Sequence, residues 1–409
     1  MLSVLLIVAS LCQTGPGGPP AGPPQQLLSP EEATKPTAEV TEYASDNFRL
    51  VTDLPKEEAE ALLAKLETLI ENVTRYWGRN LKSTIDMYVA RNLPAWPQEM
   101  QDRMAEEGKI SILTGGGLTI TQRISRGSAW KSRTVVYATS ERGTAQHEAV
   151  HAYCGLCFGR TGPTWYAEGM AEVGQYWNED DPTAVRIDPY VLKYLQSAEP
   201  TPLKELVSPN QKTGDSWQAY AWRWVLCHQL GFNPNYSRRF KPLGLGLLTG
   251  RNTSFVDVYG PMGREIDFEY RLFVENLCQG YRVDLCHWNW ESRVKDVRPS
   301  GSRFNVLAKR GWQATPIAVR AGRTYKIASE GTWKVDATTE VDADGAKDGR
   351  GKLIATLFND YELTEPFELG KEGKFSPQKD GQIVFRCRDG WDALADNEGK
   401  IRITITPAE

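Results

Sequence analysis

The chain has 409 residues, of which 40% are hydrophobic and 24% are charged, and its formal net charge at neutral pH is −4. This length exceeds one ordinary hydrophobic core and predicts two or three domains. The composition is that of a globular protein and excludes a disordered or fibrous chain. The small net charge, together with the lack of a long Lys/Arg run, predicts no nucleic-acid partner.

The N-terminus reads MLSVLLIVASLCQ. An apolar stretch of about a dozen residues is too short for a membrane-spanning helix, which needs ~20, but it suits the hydrophobic part of a signal peptide. We expect residues 1–14 to be a signal peptide, the protein to be exported (periplasmic, cell-surface or extracellular), and no transmembrane helix to be present. Because no Lys or Arg precedes the stretch, a lipid anchor at Cys12 and a misassigned start are the alternatives. The Gly/Pro-rich residues 15–40 are predicted to be a linker.

The next hundred residues predict, in chain order, one strand, one long helix and then several more strands. Residues 48–52 and 85–90 have the pattern of strands, and residues 55–77 that of an amphipathic helix, capped by Asp53 and ended by Gly78. Further strands are predicted at residues 110–113, 118–121 and 134–138, with the glycines at 115–117 turning the chain between the first two.

The rest of the chain predicts a helical part and then a β-rich part. Residues 144–280 are predicted to be mainly helical, and residues 296–312 to be a second linker. The runs TYKIAS, KLIATLF, QIVFRC and KIRITI then alternate with turn residues, which is typical of a small β-sandwich. The predicted fold is therefore α+β: a domain at 41–295 with a small mixed sheet and a helical half, followed by an all-β sandwich at 313–409.

Seven cysteines are present, six of them beyond the predicted signal peptide. An even number permits disulfides in an oxidising compartment. Cys278 and Cys286, which flank a short loop, are the pair we expect.

The strongest chemical signal is the pattern His-Glu-x-x-His at residues 147–151. On a helix, positions four apart share a face, so His147 and His151 can converge on one cation while Glu148 reaches a water bound there. Thr144 is placed to cap this helix. Neutral imidazoles suit Zn²⁺, which in catalytic sites takes three protein ligands and keeps one open position.

A second segment supplies the missing ligand. In Trp165-Tyr-Ala-Glu168-Gly-Met-Ala-Glu172, two carboxylates lie four apart and would share one helical face. Glu168 can complete the ligand set, and Glu172 can accept from the far nitrogen of one histidine and fix its tautomer.

These two segments resemble the gluzincin peptidases, specifically the peptidase-MA-like group. The matching residues are His147, Glu148, His151, Trp165, Glu168, Gly169, Ala171 and Glu172. The resemblance implies a zinc metallopeptidase in which Glu168 is the third ligand, Glu172 supports a histidine, Glu148 is the general base for metal-assisted hydrolysis, and a polypeptide substrate pairs with the edge strand beside the zinc helix. The gap before Glu168 is shorter than in the aminopeptidase branch, which argues against that activity.

Several other interpretations of these residues remain open. One alternative is that the two histidines lie on a surface helix and bind no metal. Another is that the domain is a decayed relative of the peptidases that has lost its metal. Cys154, on the same helical face, would replace Glu168 as ligand, or pair with Cys157 in a redox or structural role. His228 and His287 are expected to be packed or surface residues.

Tyr220 is the candidate for stabilising the oxyanion that hydrolysis would create. It lies in DSWQAYAW on a predicted helix. The alternative interpretation is that Tyr220 and its neighbouring tryptophans form a core face.

A turn near the C-terminus concentrates oxygen ligands of the kind that Ca²⁺ prefers. Residues 313–407 resemble the calcium-dependent galactophilic bacterial lectins, a galactose-binding-like fold, through Gly322-Arg-Thr-Tyr-Lys-Ile, Glu330-Gly-Thr-Trp and the final turn. The resemblance implies that the side chains of Asp389, Asp396 and Asn397 and the carbonyl of Ala393 ligate calcium, with sugar hydroxyls completing its shell. The alternative is a β-sandwich that serves as a spacer or a protein-contact module.

The sequence thus predicts an exported zinc metallopeptidase whose β domain directs it to glycans. The competing prediction is a non-catalytic surface adhesin, in which the β domain binds glycans and the first domain is a scaffold.

Overall fold

A computed structural model describes residues 12–13, 38–126, 129–177, 181–212 and 214–408. The chain divides into two compact units. One, here the N-terminal unit, comprises residues 1–179, 187–231 and 238–260; the other, the C-terminal unit, comprises 180–186, 232–237 and 261–409. The architecture is mixed α+β with three sheets, which confirms the predicted fold class at that level. The predicted gluzincin-like fold and domain boundaries stay predictions. Most of the predicted signal peptide and linker, residues 1–11 and 14–37, lies outside the described residues.

A six-stranded mixed sheet forms the base of the N-terminal unit, in the order β1-β5-β6-β4-β3-β2. The central pairs β3–β4 and β4–β6 are parallel, and the outer pairs are antiparallel. The strands are β1 (Cys12–Gln13), β2 (Thr41–Ala44), β3 (Phe48–Thr52), β4 (Ile85–Ala90), β5 (Gly117–Arg126) and β6 (Ala129–Thr139). The predicted strands at 48–52, 85–90, 118–121 and 134–138 are therefore confirmed.

The long helix α1 (Lys56–Trp77) is present, but its predicted cap is wrong. Its N-cap is Pro55, without a side-chain hydrogen bond, whereas the Asp53 carboxylate accepts from the backbone nitrogens of Arg91 and Asn92. Asp53 therefore ties the start of the helix to the end of β4. Gly78 ends α1 in the left-handed conformation, as predicted.

The predicted strand at residues 110–113 is wrong, because this segment is part of α3 (Glu106–Leu113). Its apolar residues do not all face the core: Ile110 and Leu113 are exposed and Ile112 is buried. Gly108 allows α3 to lie directly on the sheet, since a Cβ there would be 2.4 Å from the ring of Tyr137. Tertiary packing of that kind is not visible in a four-residue segment such as Ile-Ser-Ile-Leu.

The remaining helices of this part of the chain cover the sheet and form the predicted helical half. They are α2 (Gln98–Gln101), α4 (Thr144–Phe158), α5 (Thr164–Gln175), α6 (Pro189–Ser197), α7 (Leu203–Leu206), α8 (Trp217–Phe232), α9 (Ser237–Thr249) and α10 (Phe255–Tyr259). No helix among the described residues is long and apolar enough to cross a membrane.

The C-terminal unit contains two facing sheets with a shared core of aliphatic and aromatic side chains. One sheet has the order β12-β11-β18-β10-β16 with β8 on β18; the other has β14-β13-β17-β9-β7 with β15 on β13. The strands are β7 (Lys295–Asp296), β8 (Ser302–Leu307), β9 (Gln313–Val319), β10 (Tyr325–Glu330), β11 (Trp333–Lys334), β12 (Glu340–Val341), β13 (Leu353–Asn359), β14 (Glu362–Leu363), β15 (Phe367–Glu368), β16 (Glu372–Phe375), β17 (Gly381–Cys387) and β18 (Glu398–Pro407). All four predicted strand runs are present, and β8 lies inside the segment predicted to be a linker.

Two helices, α11 (Gly263–Glu275) and α12 (Val283–Cys286), complete the C-terminal unit. Phe268 and Leu272 of α11 share a buried cluster with Trp288, Trp312 and strand residues. Burial of such aromatic surface is the main stabilising term in a small sandwich.

The expected disulfide between Cys278 and Cys286 is absent, because both are free thiols. Cys286 is buried beside Gly311, whose added Cβ would meet its sulfur at 3.1 Å. Burial raises the pKa of the Cys286 thiol to about 12 and that of Cys278 to about 11. A disulfide needs a specific distance and orientation of the two cysteines, and the number of residues between them in the sequence does not determine either.

Candidate metal centre

Helix α4 carries the His-Glu-x-x-His pattern between two glycines. Gly143 before it and Gly159 after it both adopt the left-handed conformation that glycine accepts without strain. Thr144 is the first helical residue and not the predicted cap, since its hydroxyl donates to the carbonyl of Glu141. The helix is buried along most of its length, which excludes the surface-helix alternative.

Helix α5 brings the second segment against α4 and α8 by close backbone approach. A Cβ on Gly174 would lie 2.5 Å from a methyl carbon of Val150 in α4. A Cβ on Gly169 would lie 2.4 Å from the sulfur of Cys227 and 2.7 Å from the carbonyl oxygen of Arg223, both in α8. Small residues at these two positions therefore set how near Glu168 comes to the histidines.

The structure brings His147, His151 and Glu168 together. The two Nε2 atoms are 3.1 Å apart, and Glu168 Oε2 is 3.3 Å from that of His147 and 3.2 Å from that of His151. All three side chains are at most 2% exposed. The second carboxylate oxygen, Glu168 Oε1, has no hydrogen-bond partner among the described residues.

This triangle fits a zinc ion. Ligands of a tetrahedral zinc ion, at its usual bond lengths, lie about 3.3 Å from one another, which is close to the three donor spacings. Two imidazoles and one carboxylate, with an orphaned buried oxygen, are a suitable donor set. Among the described residues, these three form a group able to hold a metal ion.

Glu172 lies one helical turn beyond Glu168, near the far side of His147, and its predicted hydrogen bond to that ring stays a prediction. Its Oε1 is 3.1 Å from His147 Nδ1. Burial by itself lowers the pKa of His147, but the contacts with Glu168 and Glu172 outweigh it and raise that pKa to about 9. Burial likewise opposes ionisation of Glu168, yet the neighbouring His151 and His147 lower the pKa of its carboxyl to about 2.

Glu148 is fully buried next to the triangle. Its Oε2 accepts a 2.7 Å hydrogen bond from the hydroxyl of Thr119 in β5, while its Oε1 has no partner among the described residues. Desolvation raises the pKa of Glu148, although the nearby His151 and His147 act in the opposite direction. A carboxylate with one anchored and one open oxygen is suited to accept a proton.

Tyr220 contacts the centre through its ring. The ring stacks on that of His147 with centroids 6.0 Å apart and planes 21° from parallel. Its hydroxyl accepts a 2.8 Å hydrogen bond from the backbone nitrogen of Gly214. Burial raises the pKa of Tyr220 further above its usual value, so the hydroxyl stays protonated. Its predicted role toward an oxyanion stays a prediction.

The other candidate ligands lie elsewhere. Cys154 is a buried cysteine outside the metal-binding group, and neither it nor Cys157 is part of a disulfide. The ring of His228 packs on Trp224 at 5.1 Å, and His287 Nδ1 lies 2.6 Å from the carbonyl oxygen of Asp284.

Sequence analysis missed two residues of β5, Gly117 and Thr119. A Cβ on Gly117 would lie 2.7 Å from Glu148 Oε1, so this glycine makes room for the acid. The available signal was the alternation Gly117, Thr119, Thr121, which places small side chains on one face of a strand.

The predicted calcium turn lies between β17 and β18, in the C-terminal unit. Asp389 Oδ1 accepts from the backbone nitrogen of Gly390, whereas Asp389 Oδ2 and Asn397 Oδ1 are buried and have no partner among the described residues. Burial raises the pKa of Asp389, although Gly390 and Asn397 act the other way.

The two other predicted members of this turn are less enclosed. Asp396 is exposed, at the end of a short 3-10 turn, and Ala393 is half-buried. The structure therefore provides two buried, unpartnered oxygens for a hard cation and leaves the role of Asp396 and Ala393 as a prediction.

No protein-family model matches this chain, and no curated protein matches it. Among the solved structures similar to part of it is one described as "EclA N-terminal domain; PllA-like lectin", which is 19% identical over 26% of this chain and 95% of that chain, with a TM-score of 0.22. A likeness this distant supports no statement about activity or ligand.

Proposed function

We propose that the N-terminal unit is a zinc-dependent hydrolase of peptide bonds, with His147, His151 and Glu168 holding the ion. The observation that carries this proposal is the buried triangle of donor atoms, 3.1 to 3.3 Å on each side, with Glu148 next to it in the sequence. When bound, zinc would supply Lewis-acid polarisation of the scissile carbonyl and of a water.

The residues of this chain divide the remaining tasks. Glu148 takes the proton of the attacking water and returns it to the leaving nitrogen, because its open oxygen faces no protein donor among the described residues. Glu172 holds the orientation of His147. Tyr220, packed on His147, is the candidate donor toward the developing oxyanion.

A polypeptide substrate is supported by the outer edge of the sheet. Strand β6 lies inside the sheet. Strand β5, whose Thr119 contacts Glu148, is covered on its outer side, among the described residues, only by the two-residue edge strand β1. Residues 12–13 of the chain itself pair antiparallel with β5, Cys12 opposite Thr119 and Gln13 opposite Leu118. An edge that accepts an extended backbone in this way is suited to bind a substrate peptide by main-chain hydrogen bonds.

Metal content and turnover, measured together, test the proposal. Purified protein should bind about one zinc per chain and cleave members of a proteome-derived peptide library. His147→Ala should lose both metal and cleavage, while Glu148→Gln should keep the metal and lose roughly 10²- to 10⁴-fold in turnover.

Matched controls are His287→Ala and Glu57→Gln, which lie outside the centre and should leave both properties unchanged. Undiminished cleavage by Glu148→Gln would contradict the general-base assignment. Zinc-loaded protein that cleaves nothing in the library would favour the scaffold alternative.

As a second function, we infer that the C-terminal unit binds Ca²⁺ and, through it, glycans. Two orphaned buried oxygens, Asp389 Oδ2 and Asn397 Oδ1, support this inference, because such groups are costly unless a cation or donor satisfies them. If both proposed functions are present, the protein is a peptidase that is directed to glycans. If only glycan binding is present, the protein is an adhesin.

Calorimetric titration with Ca²⁺ and a glycan array test this second function. Asp389→Asn should weaken calcium binding at least tenfold, whereas Asp392→Asn, an exposed acid of the same turn, should not. Glycan binding that persists in a chelator, or no calcium binding by the parent protein, would exclude it.

A further inference from the structure

Strand β5 presents one face of small side chains to helix α4. Gly117, Thr119 and Thr121, at alternate positions, are all buried. A Cβ on Gly117 would approach Glu148, the Thr119 hydroxyl contacts Glu148, and Thr121 Oγ1 would lie 2.6 Å from a Cβ on Gly155 of α4. Helix and strand are therefore in close contact along this face, and the carboxylate of Glu148 lies within it.

The contacts of Glu148 with this face are of two kinds. Its Oε2 is 2.7 Å from Thr119 Oγ1, and the same hydroxyl is 3.0 Å from the Glu148 carbonyl oxygen. Its Oε1 points toward the space left by the missing side chain of Gly117. The hydroxyl carries one hydrogen, which it donates to Oε2 at the shorter distance, with the carbonyl oxygen as the weaker second acceptor. One glycine leaves room for the carboxylate oxygen that is not held.

We infer that Thr119 is a positioning residue for the reaction, which fixes the carboxylate of Glu148 through one oxygen and leaves the other to accept the proton. The inference rests on the proposed hydrolase. A free glutamate side chain samples several rotamers. A protein that holds it in one rotamer before the reaction lowers the entropic cost of reaching the reactive arrangement. The strand thus acts on the chemistry through Glu148.

The face also offers a matched control. Thr121 is a buried threonine two residues further on the same strand, and its hydroxyl bonds to that of Thr134 at 2.9 Å instead of to an acid. Thr119→Val and Thr121→Val remove the same group from the same face, so a merely structural effect should be similar in both. Thr119→Ser restores the hydroxyl and should rescue the first variant.

Two measurements, one on each form of the protein, test the inference. In the zinc-loaded protein, Thr119→Val should lower kcat roughly 10- to 100-fold with KM and zinc content unchanged, while Thr121→Val and Thr119→Ser stay within about threefold of the parent. In the metal-free protein, Thr119→Val and Glu148→Leu should be non-additive in the urea midpoint, because each removes the same hydrogen bond. Thr121→Val and Glu148→Leu should be additive.

The outcomes separate this inference from the proposed function. An active parent enzyme whose kcat does not change in Thr119→Val overturns the positioning role and leaves the hydrolase intact. Additive urea midpoints for Thr119→Val and Glu148→Leu also overturn it, whether or not the parent is active. A zinc-loaded parent without activity defeats the hydrolase, and the urea cycle still decides whether Thr119 holds Glu148.

Discussion

Protonation of the buried His147 is the first property that metal binding must change. The carboxylates of Glu168 and Glu172 raise the pKa of His147 to about 9, so this imidazole carries a proton at neutral pH in the metal-free protein. Glu168, with a pKa of about 2, is already ionised. Because only a neutral imidazole binds zinc, the ion and the proton compete for the same nitrogen.

Zinc binding at pH 7 should therefore release about one proton, and the zinc affinity should rise with pH until about pH 9. Titration calorimetry in two buffers of different ionisation enthalpy measures the proton count. Glu172→Gln removes one of the contacts that raise this pKa, so it should release less of a proton. Zinc binding without proton release would contradict the assignment.

The same shift affects the metal-free fold. The pKa of His147 is above its unfolded value of 6.5, so its stabilising contribution is complete below pH 6.5 and is lost as the pH rises through 9. The free energy of unfolding of metal-free protein should fall across this range, as measured by urea denaturation. His147→Ala should remove that slope.

At the scale of elements, close backbone contacts between helices place the ligands. Helix α5 approaches α8 through Gly169 and α4 through Gly174, and Glu168 is the neighbour of Gly169. Protein interiors are packed too densely to absorb an added methyl group without movement. The position of Glu168, the proposed third ligand, therefore depends on Gly169, which has no side chain that could bind a metal.

Gly169→Ala should destabilise the protein by about 1–3 kcal/mol and weaken zinc binding, because the added carbon would lie 2.4 Å from the sulfur of Cys227. Thermal unfolding and zinc titration measure the two effects. Gly263→Ala is the control, since a Cβ on this helical glycine has nothing within 4 Å. Equal zinc affinity in the two variants would show that α5 adjusts without moving Glu168.

At the scale of the whole molecule, the two proposed ions bind in different units. The proposed zinc ligands are all in the N-terminal unit, and the candidate calcium oxygens are in the C-terminal unit. A ligand stabilises the cooperative unit that binds it and leaves local opening elsewhere unchanged.

Hydrogen exchange should therefore respond separately to the two ions. Zinc should slow exchange in α4 and α5 and not in β17 or β18, and Ca²⁺ should do the reverse. Mass spectrometry of peptic peptides, with and without each ion, measures this. Slower exchange in both units on adding zinc alone would contradict independent binding.

The spacing of residues along the chain was enough to predict the elements that carry the candidate site. Four-residue spacing places His147 and His151, and separately Glu168 and Glu172, on helical faces, and alternation predicted the strands at 48–52 and 85–90 and the four β runs of the C-terminal unit. Periodicity is a local property, so these predictions needed no knowledge of the fold. Asp53 as a cap, a strand at 110–113 and a disulfide between Cys278 and Cys286 were wrong, because each depends on what other segments bring to the residue.

Which groups lie next to one another depends on the fold and could not be predicted from spacing. The approach of Glu168 to the two histidines, the hydroxyl of Thr119 under Glu148 and the space at Gly117 all arise between elements distant in sequence. The oxygens Asp389 Oδ2 and Asn397 Oδ1 likewise become buried, without a hydrogen-bond partner among the described residues, only through the packing of the sandwich. Burial and contacts between elements are set by packing, and packing leaves no repeating pattern in the sequence from which they could be predicted.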